Sequence, residues 1–264
     1  MIKVNKAIGG IKLNLKLDHM IHYINQLQTF KYPGELLRIY DGGKHEKLGT
    51  FNRLVYLDNA YIELLDVYNA EILRKITKSE EGRVSFPSKI IQDNFAQGLK
   101  TVAFQTDDLD LVKQQLIAKD VDVVGPVNMH RVDEKGNKIH WRLLYIADPD
   151  YRVKPPFFIQ WEEPLAVRNK KLAPFQQQEF TVKQIRIDST ERAVTVQKWQ
   201  TWFDMEIIDD TETYTSLKLP NDTIVYEIYD GEVSKYHTVI LRDEKATSSY
   251  SLIIRGIRYR FDAD

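Results

Sequence analysis

Two histidines, His19 and His22, lie within the eight residues LDHMIHYI, in a chain with only six histidines and no cysteine. Imidazoles this close invite a metal-site reading, because neutral histidine is a common metal ligand. On an extended strand, however, side chains alternate, so positions three apart point to opposite faces. His19 shares a face with Leu17 and Ile21, and His22 takes the other. The second chemical signal is Glu63, set in the apolar run AYIELLDV. A carboxylate buried among apolar neighbours is costly unless it meets a metal, a cation or a histidine, or takes a raised pKa. His19 and Glu63 are therefore the candidate catalytic residues, with Glu63 as ligand or general base. The plainer readings are a hydrogen-bonded pocket histidine and a salt-bridged edge carboxylate.

Further polar residues cluster in two places. The loop GGKHEKLGT and the residues after it offer His45, Thr50, Asn52 and Arg53 as ligand-binding groups. A pocket arginine suits a carboxylate or phosphate on the ligand. Arg53 and Asn52 alternate to opposite faces, and which of these residues points inward stays open. The loop does not have the spacing of a phosphate-binding P-loop. The other cluster is HWR, where His140 and Arg142 share one face and Trp141 takes the opposite one. Further on, Phe158 and Gln160 share a face, with Ile159 and Trp161 on the other. If Gln160 lines a pocket, Phe158 is its apolar wall.

These residues need strands to hold them. The stretch 17–24 reads as a strand, rich in β-branched and aromatic residues and free of breakers. FNRLVYLD and AYIELLDV form two strands around a turn at Asp58-Asn59, which suggests a hairpin. Residues 99–106 are a strand, 107–120 an amphipathic helix with an acidic start, and VDVVGPV a strand stopped by Gly125-Pro126. Residues 138–146 and 156–161 add two more. The order strand, helix or loop, then three strands thus occurs at 17–67 and again at 99–162. A third, weaker copy follows at 180–264, opening with FTVKQIRID. Its helix carries Ser189 as N-cap, with Val196, Trp199 and Phe203 on one face as core. The division is an extension 1–16, modules 17–67 and 99–162 with a connector 68–98 between them, a linker 163–179 and the segment 180–264. The fold class is α+β.

Composition excludes several functions. Of 264 residues, 43% are hydrophobic and 28% charged, which suits a globular protein with a real core. Lys plus Arg (37) nearly balances Asp plus Glu (38), so charge gives no reason to expect nucleic acid or a membrane as partner. There is no apolar run long enough to span a bilayer and no signal-peptide pattern, so the expected location is cytoplasmic.

The set LDH, GGKHEKLGTFNRLVYLDNAYIELLDV, HWRLLY and PFFIQW, in that order, resembles the glyoxalase-like domain family of the vicinal oxygen chelate superfamily. The resemblance covers roughly residues 17–162. It implies tandem βαβββ modules whose mixed sheet cups a pocket. In metal-dependent members the ligands come from the first and last strands of each module. Carried across, the first module offers His19 and Glu63, and the second offers Thr101 and Gln160 if FIQ is set against YIE. His19, Glu63 and Gln160 are then the implied ligands of one divalent metal ion, and Thr101 departs from the family's set.

Three functions follow from this reading. In the first, a metal held by His19 and Glu63, with Gln160, polarises vicinal oxygens in a lyase, isomerase or dioxygenase acting on a small oxygenated metabolite, or Glu63 moves protons itself. In the second, the same cup binds or sequesters a small molecule without metal, a reading the gap at Thr101 favours. In the third, the chain is an interaction protein with a vestigial pocket. The expected partner is a small-molecule ligand. The modules could pair within one chain or across a homodimer.

Overall fold

The structure, a computed structural model, describes residues 13–132, 136, 138–148 and 155–264, so most of the 1–16 extension lies outside the described residues. The first module has strands β1 (Lys16–Tyr23), β2 (Tyr40–His45), β3 (Thr50–Tyr56) and β4 (Tyr61–Val67). Where a helix would follow β1 there are only short 3-10 turns at Leu27–Thr29 and Pro33–Glu35. Gly34 there has φ +61, which ends any helical run. Three short helices, α1 (Ala70–Ile76), α2 (Glu80–Val84) and α3 (Phe86–Gln92), fill the connector.

The second module is complete, with β5 (Gly98–Gln105), α4 (Leu109–Ala118), β6 (Val123–Val132), β7 (Lys138–Ile146) and β8 (Phe157–Trp161). Helix α4 starts where Asp108 accepts a hydrogen bond from the Leu111 backbone N–H, and it buries Leu109, Val112 and Leu116. The expectation that Gly125-Pro126 stops a strand is corrected. β6 runs through the pair, and its register against β7 shifts between Val124 and Val127. Such a bulge absorbs a residue that cannot donate to the ladder.

The eight strands form one mixed sheet in the order β2-β3-β4-β1-β5-β8-β7-β6. β1 runs parallel to β4, β5 runs parallel to β8, and the two modules meet where β1 and β5 pair antiparallel. The sheet curls so far that its edges approach each other. A Cβ on Gly43 in β2 would lie 3.2 Å from the Val132 carbonyl oxygen in β6.

After α5 (Leu165–Leu172) comes a second sheet, built from β9 (Phe180–Ser189), α6 (Arg192–Phe203), β10 (Glu206–Asp210), β11 (Tyr214–Lys218), β12 (Val225–Asp230), β13 (Lys235–Asp243), β14 (Tyr250–Ile254) and β15 (Ile257–Asp262). Its order is β10-β11-β12-β9-β13-β15-β14. The expected third module is β9 to β12. Strands β13 to β15 repeat the parallel and antiparallel pairings of a fourth, one strand and one helix short. Ser189 ends β9 instead of capping α6. Its hydroxyl accepts from the Glu191 backbone N–H at 3.1 Å and bonds the Thr195 hydroxyl at 2.8 Å, while Glu191 takes the N-cap position.

Alternation assigns each strand residue to one of two cores. Leu17, Met20, Ile62, Leu64, Phe104, Leu144 and Phe158 face the second sheet and α6, where Phe104 meets Phe203 edge-on at 5.1 Å. Leu17 is expected on the face of His19, and the register shift between the two sends it to the back instead. Ile21, Leu65, Ala103, Leu143, Phe157 and Ile159 face into the cup, which α1 to α3 plug with Leu73, Val84, Phe86 and Ile90. His22 is one of the buried polar ties between the sheets. Its Nδ1 accepts from the Tyr259 hydroxyl at 2.8 Å and its Nε2–H donates to the Arg255 carbonyl at 3.2 Å. Among the described residues no helix is long and apolar enough to cross a membrane.

The His22 contacts make a pH prediction. Burial, opposed by the Arg255 carbonyl, lowers its pKa from 6.5 to about 4. The unfolded chain therefore binds this proton more readily than the folded one. Stability from this group is full above pH 6.5 and is lost as pH falls toward 4, by about 3 kcal/mol. Denaturant unfolding across that window should show the slope, and NMR should find the His22 ring titrating near 4. A ring titrating near 6.5 would contradict it.

Candidate functional site

Glu63 sits mid-strand in β4 with only 7% of its surface exposed, on the cup face beside Tyr61 and Leu65. Two imidazoles approach its carboxylate. His19 Nε2 is 3.4 Å from one oxygen and His45 Nε2 is 4.0 Å from the other. The Asn52 side-chain amide donates to Glu63 Oε1 at 2.6 Å, and its own carbonyl oxygen accepts from the Gly43 N–H at 2.9 Å. His45 Nδ1 is tied to the Thr50 hydroxyl at 3.0 Å. Burial lowers the His45 pKa, opposed by Glu63 and reinforced by Arg131 and His19. The ring is therefore neutral at neutral pH and keeps a lone pair.

Asp18 is a residue that sequence reasoning missed. Alternation would turn it away from His19, but β1 bulges there, with a register shift between Leu17 and His19 against β5. The extra residue lets consecutive side chains reach the same side. Asp18 Oδ1 stands 2.6 Å from His19 Nδ1, Oδ2 accepts from the Trp161 indole N–H at 2.9 Å, and an Arg168 nitrogen lies 3.7 Å away. Burial alone would raise the Asp18 pKa. Arg168, His19 and Trp161 outweigh it and hold it at about 2. The anion fixes His19 with Nδ1 toward Asp18 and Nε2 toward Glu63.

The Asp18→Asn variant should lose about 2 kcal/mol of stability at neutral pH, since charge-assisted hydrogen bonds carry roughly that much. The native contribution is present above the ordinary value of 3.8 and lost as pH falls toward 2. Denaturant midpoints of the two proteins should therefore converge near pH 2. A constant difference down to that pH would contradict the assignment.

Aromatic and apolar side chains wall this cluster. Tyr61 stacks on His19 with ring centroids 4.7 Å apart, Phe157 meets it edge-on at 5.7 Å, and Trp141 stands 6.4 Å from His45. Burial pushes the phenol pKa of both Tyr56 and Tyr61 up, so each keeps its proton. Arg168 from α5 lies over the Trp161 ring at 4.0 Å, and Arg131 from β6 completes the rim.

The sheet brings His19, Glu63, His45, Thr50 and Asn52 together. The other expected residues lie elsewhere. Arg53 faces away, bonded to Asp41 at 2.8 Å and to the Leu27 and Phe30 carbonyls. His140 stacks beside His130 across the outer side of the β6–β7 pair, at 5.7 Å. Phe158 is in the core between the sheets, 5.6 Å from Phe203. Gln160 accepts from Arg142 at 2.6 Å and donates to the Asp107 carbonyl at 2.7 Å, both on that opposite side. The physical reason is parity. The cup-facing residues of β8 are Phe157, Ile159 and Trp161, and a one-residue slip in setting FIQ against YIE exchanges the faces. Thr101 is buried against the Pro155 carbonyl at 3.0 Å and Lys89.

The implied metal set of His19, Glu63 and Gln160 does not assemble. Gln160 cannot join His19 and Glu63 from the far face, and the second module turns Ala103, Phe157 and Ile159 to the cup. Among the described residues no three His, Cys, Asp or Glu side chains are grouped to hold an ion.

Paired modules of this connectivity, curled around a pocket, define the vicinal oxygen chelate fold. The glyoxalase-like domain model matches residues 17–203, and the chain belongs to that family. A hypothetical protein from Staphylococcus aureus is 47% identical, with 95% of this chain and all of that one covered and a TM-score of 0.93. A mutant of 4-hydroxymandelate synthase from Streptomyces coelicolor shares the fold at 8% identity, covering 87% of this chain and 71% of that one, with a TM-score of 0.52. Methylmalonyl-CoA epimerase from Streptomyces coelicolor is 15% identical over 58% of this chain and all of its own, with a TM-score of 0.39. None of the curated proteins matches the sequence.

Proposed function

We propose that the cup is a small-molecule site in which Glu63 and His19 exchange a proton with an oxygenated metabolite, as in lyase or isomerase chemistry. The observation that carries this reading is the Glu63 carboxylate, buried between two imidazoles in a pocket walled mainly by aromatic and apolar side chains. Asn52 holds one of its oxygens, which leaves Oε2 and His19 Nε2 as the pair facing the cavity. A base and an acid held side by side, with a third group orienting one of them, is the arrangement proton transfer needs. Asp18 is that orienting group, a positioning residue. The aromatic walls keep water from competing. Side chains alone move the proton in this scheme.

Tryptophans report on it. Trp141 and Trp161 line the cup, while Trp199 and Trp202 belong to the other core. Titrating a panel of small 2-oxo and 2-hydroxy acids into 15N-labelled protein should move the indole signals of Trp141 and Trp161 and leave the other two in place. If no member of the panel moves them, or if Trp199 and Trp202 respond instead, the cup is not the ligand site.

A further inference from the structure

The cup continues into a second hollow. The inner chamber around Glu63 has a free volume of only ≈ 50 Å³, room for about four water-sized groups. Beyond it, between the β2–β3 turn and the end of β6, lies an outer hollow of ≈ 180 Å³. The two share His45, Leu48, Met129 and Arg131 as lining, so one molecule can occupy both.

Their chemistry differs. The inner chamber carries the acid–base pair. The outer one is lined by Lys44, Lys47 and Arg131 against the single carboxylate of Glu46, a local excess of positive charge. Arg131 stands at the junction. It donates to the Tyr56 hydroxyl, but its Nη1 is buried and has no hydrogen-bond partner among the described residues. Leaving a guanidinium N–H desolvated and unbonded is costly, and a planar oxyanion relieves that cost with two parallel hydrogen bonds. The close approach of Gly43, whose Cβ would lie 3.6 Å from Nη1, helps keep water from this nitrogen.

We infer that the ligand of this site is an elongated organic anion, its reacting carbon beside Glu63 in the inner chamber and its oxyanion on Arg131, with any further negative charge in the outer hollow. The inference rests on the cup being a ligand site and adds the substrate class. Carboxylate and phosphate share the chemistry Arg131 selects, and they differ in how much they gain from Lys44 and Lys47. A neutral ligand would forgo the charge-assisted part of that bond, and a cation would be repelled.

Calorimetric titration of the full chain with malonate, inorganic phosphate and pyrophosphate tests this. Wild type should bind at least one of them with an affinity that weakens as salt is raised. Arg131→Gln should weaken that binding tenfold or more, with its melting temperature and Trp141 signal retained. Lys44→Gln with Lys47→Gln should weaken pyrophosphate several-fold more than malonate if the ligand carries phosphate, and leave malonate tightest if it is a carboxylate. Absence of anion binding in wild type, or binding that Arg131→Gln leaves unchanged, overturns the inference. The Glu63→Gln variant separates this from the proton-transfer reading. If it binds anions as wild type does and neither protein exchanges a ligand proton, that reading falls and this assignment stands.

Discussion

The Glu63→Gln variant should bind ligand and lose its chemistry, with turnover falling by about 10² to 10⁴, the span expected when a positioned general base is removed. Glutamine preserves the shape and can still accept from Asn52, so the cup keeps its walls. What goes is the group proposed to take the proton. A kcat that collapses while KM stays within a few-fold is the signature of an interaction used in the transition state. A parallel rise in KM with kcat intact would make Glu63 a binding group only. The same substitution replaces a buried carboxylate with a neutral amide, so the folded protein should be no less stable. That separates this variant from one that fails through misfolding.

The largest stability loss is expected far from the site. Phe104 is fully buried on the back of β5, edge-on to Phe203 at 5.1 Å and to Tyr226 at 5.8 Å, where the two sheets meet. Phe104→Ala removes a whole ring from a junction whose neighbours belong to different elements and cannot collapse together. The expected cost is about 3 to 5 kcal/mol, measured by denaturant unfolding. A cost below about 1 kcal/mol would mean that the second sheet does not back the first in solution. Below its lowered melting temperature the variant should still show the ligand response of Trp141 and Trp161, because Phe104 lies on the opposite face of the sheet.

Much of the module pattern was legible because alternation is a local property. LDHMIHYI divides into a cup-facing His19 and a back-facing His22 from spacing alone, and the structure places them so. Glu63 stood out because a carboxylate in an apolar strand needs an explanation. The misplaced residues fail for identifiable reasons. Phe158 and Gln160 alternate correctly with each other, but nothing local says which parity faces the cup. That is set by pairing with β5, 54 residues away in the chain, and with β7, 14 to 20 residues away. Asp18 was hidden by a bulge, which breaks the rule used to read it. Arg131 follows the Gly125-Pro126 irregularity, which resets parity along β6. Arg168 sits on a short helix inside a stretch that reads as a polar linker. β2 reads as loop in the sequence because Gly42 and Gly43 are poor strand formers. Gly42 is nevertheless required where a Cβ would fall 2.0 Å from the Asn52 side-chain oxygen. The signal that could have found Arg131 is the HRV ending of a strand whose partner, HWR, had already been singled out.

The Asn52–Gly42 contact also shows how the site depends on backbone far from the chemistry. A methyl group at 42 would displace the amide that holds Glu63 Oε1, and with it the direction in which Oε2 faces His19. Likewise Asp18 would act on the proposed reaction through His19, and Arg168 of α5 and Trp161 of β8 keep Asp18 ionised. Proton transfer in a closed cup needs this rigidity, because groups 3.4 Å apart must stay in reach without water between them.

Proton transfer between the Glu63–His19 pair and a bound oxygenated anion is the proposed reaction. Its most direct test is solvent deuterium incorporation, followed by proton NMR, into panel acids that shift Trp141 and Trp161, with a chelator present throughout. Exchange is expected at the carbon next to the carbonyl or hydroxyl group with wild type, and none above background with Glu63→Gln. Exchange that survives Glu63→Gln, or that appears only when a divalent metal is added back, would contradict it.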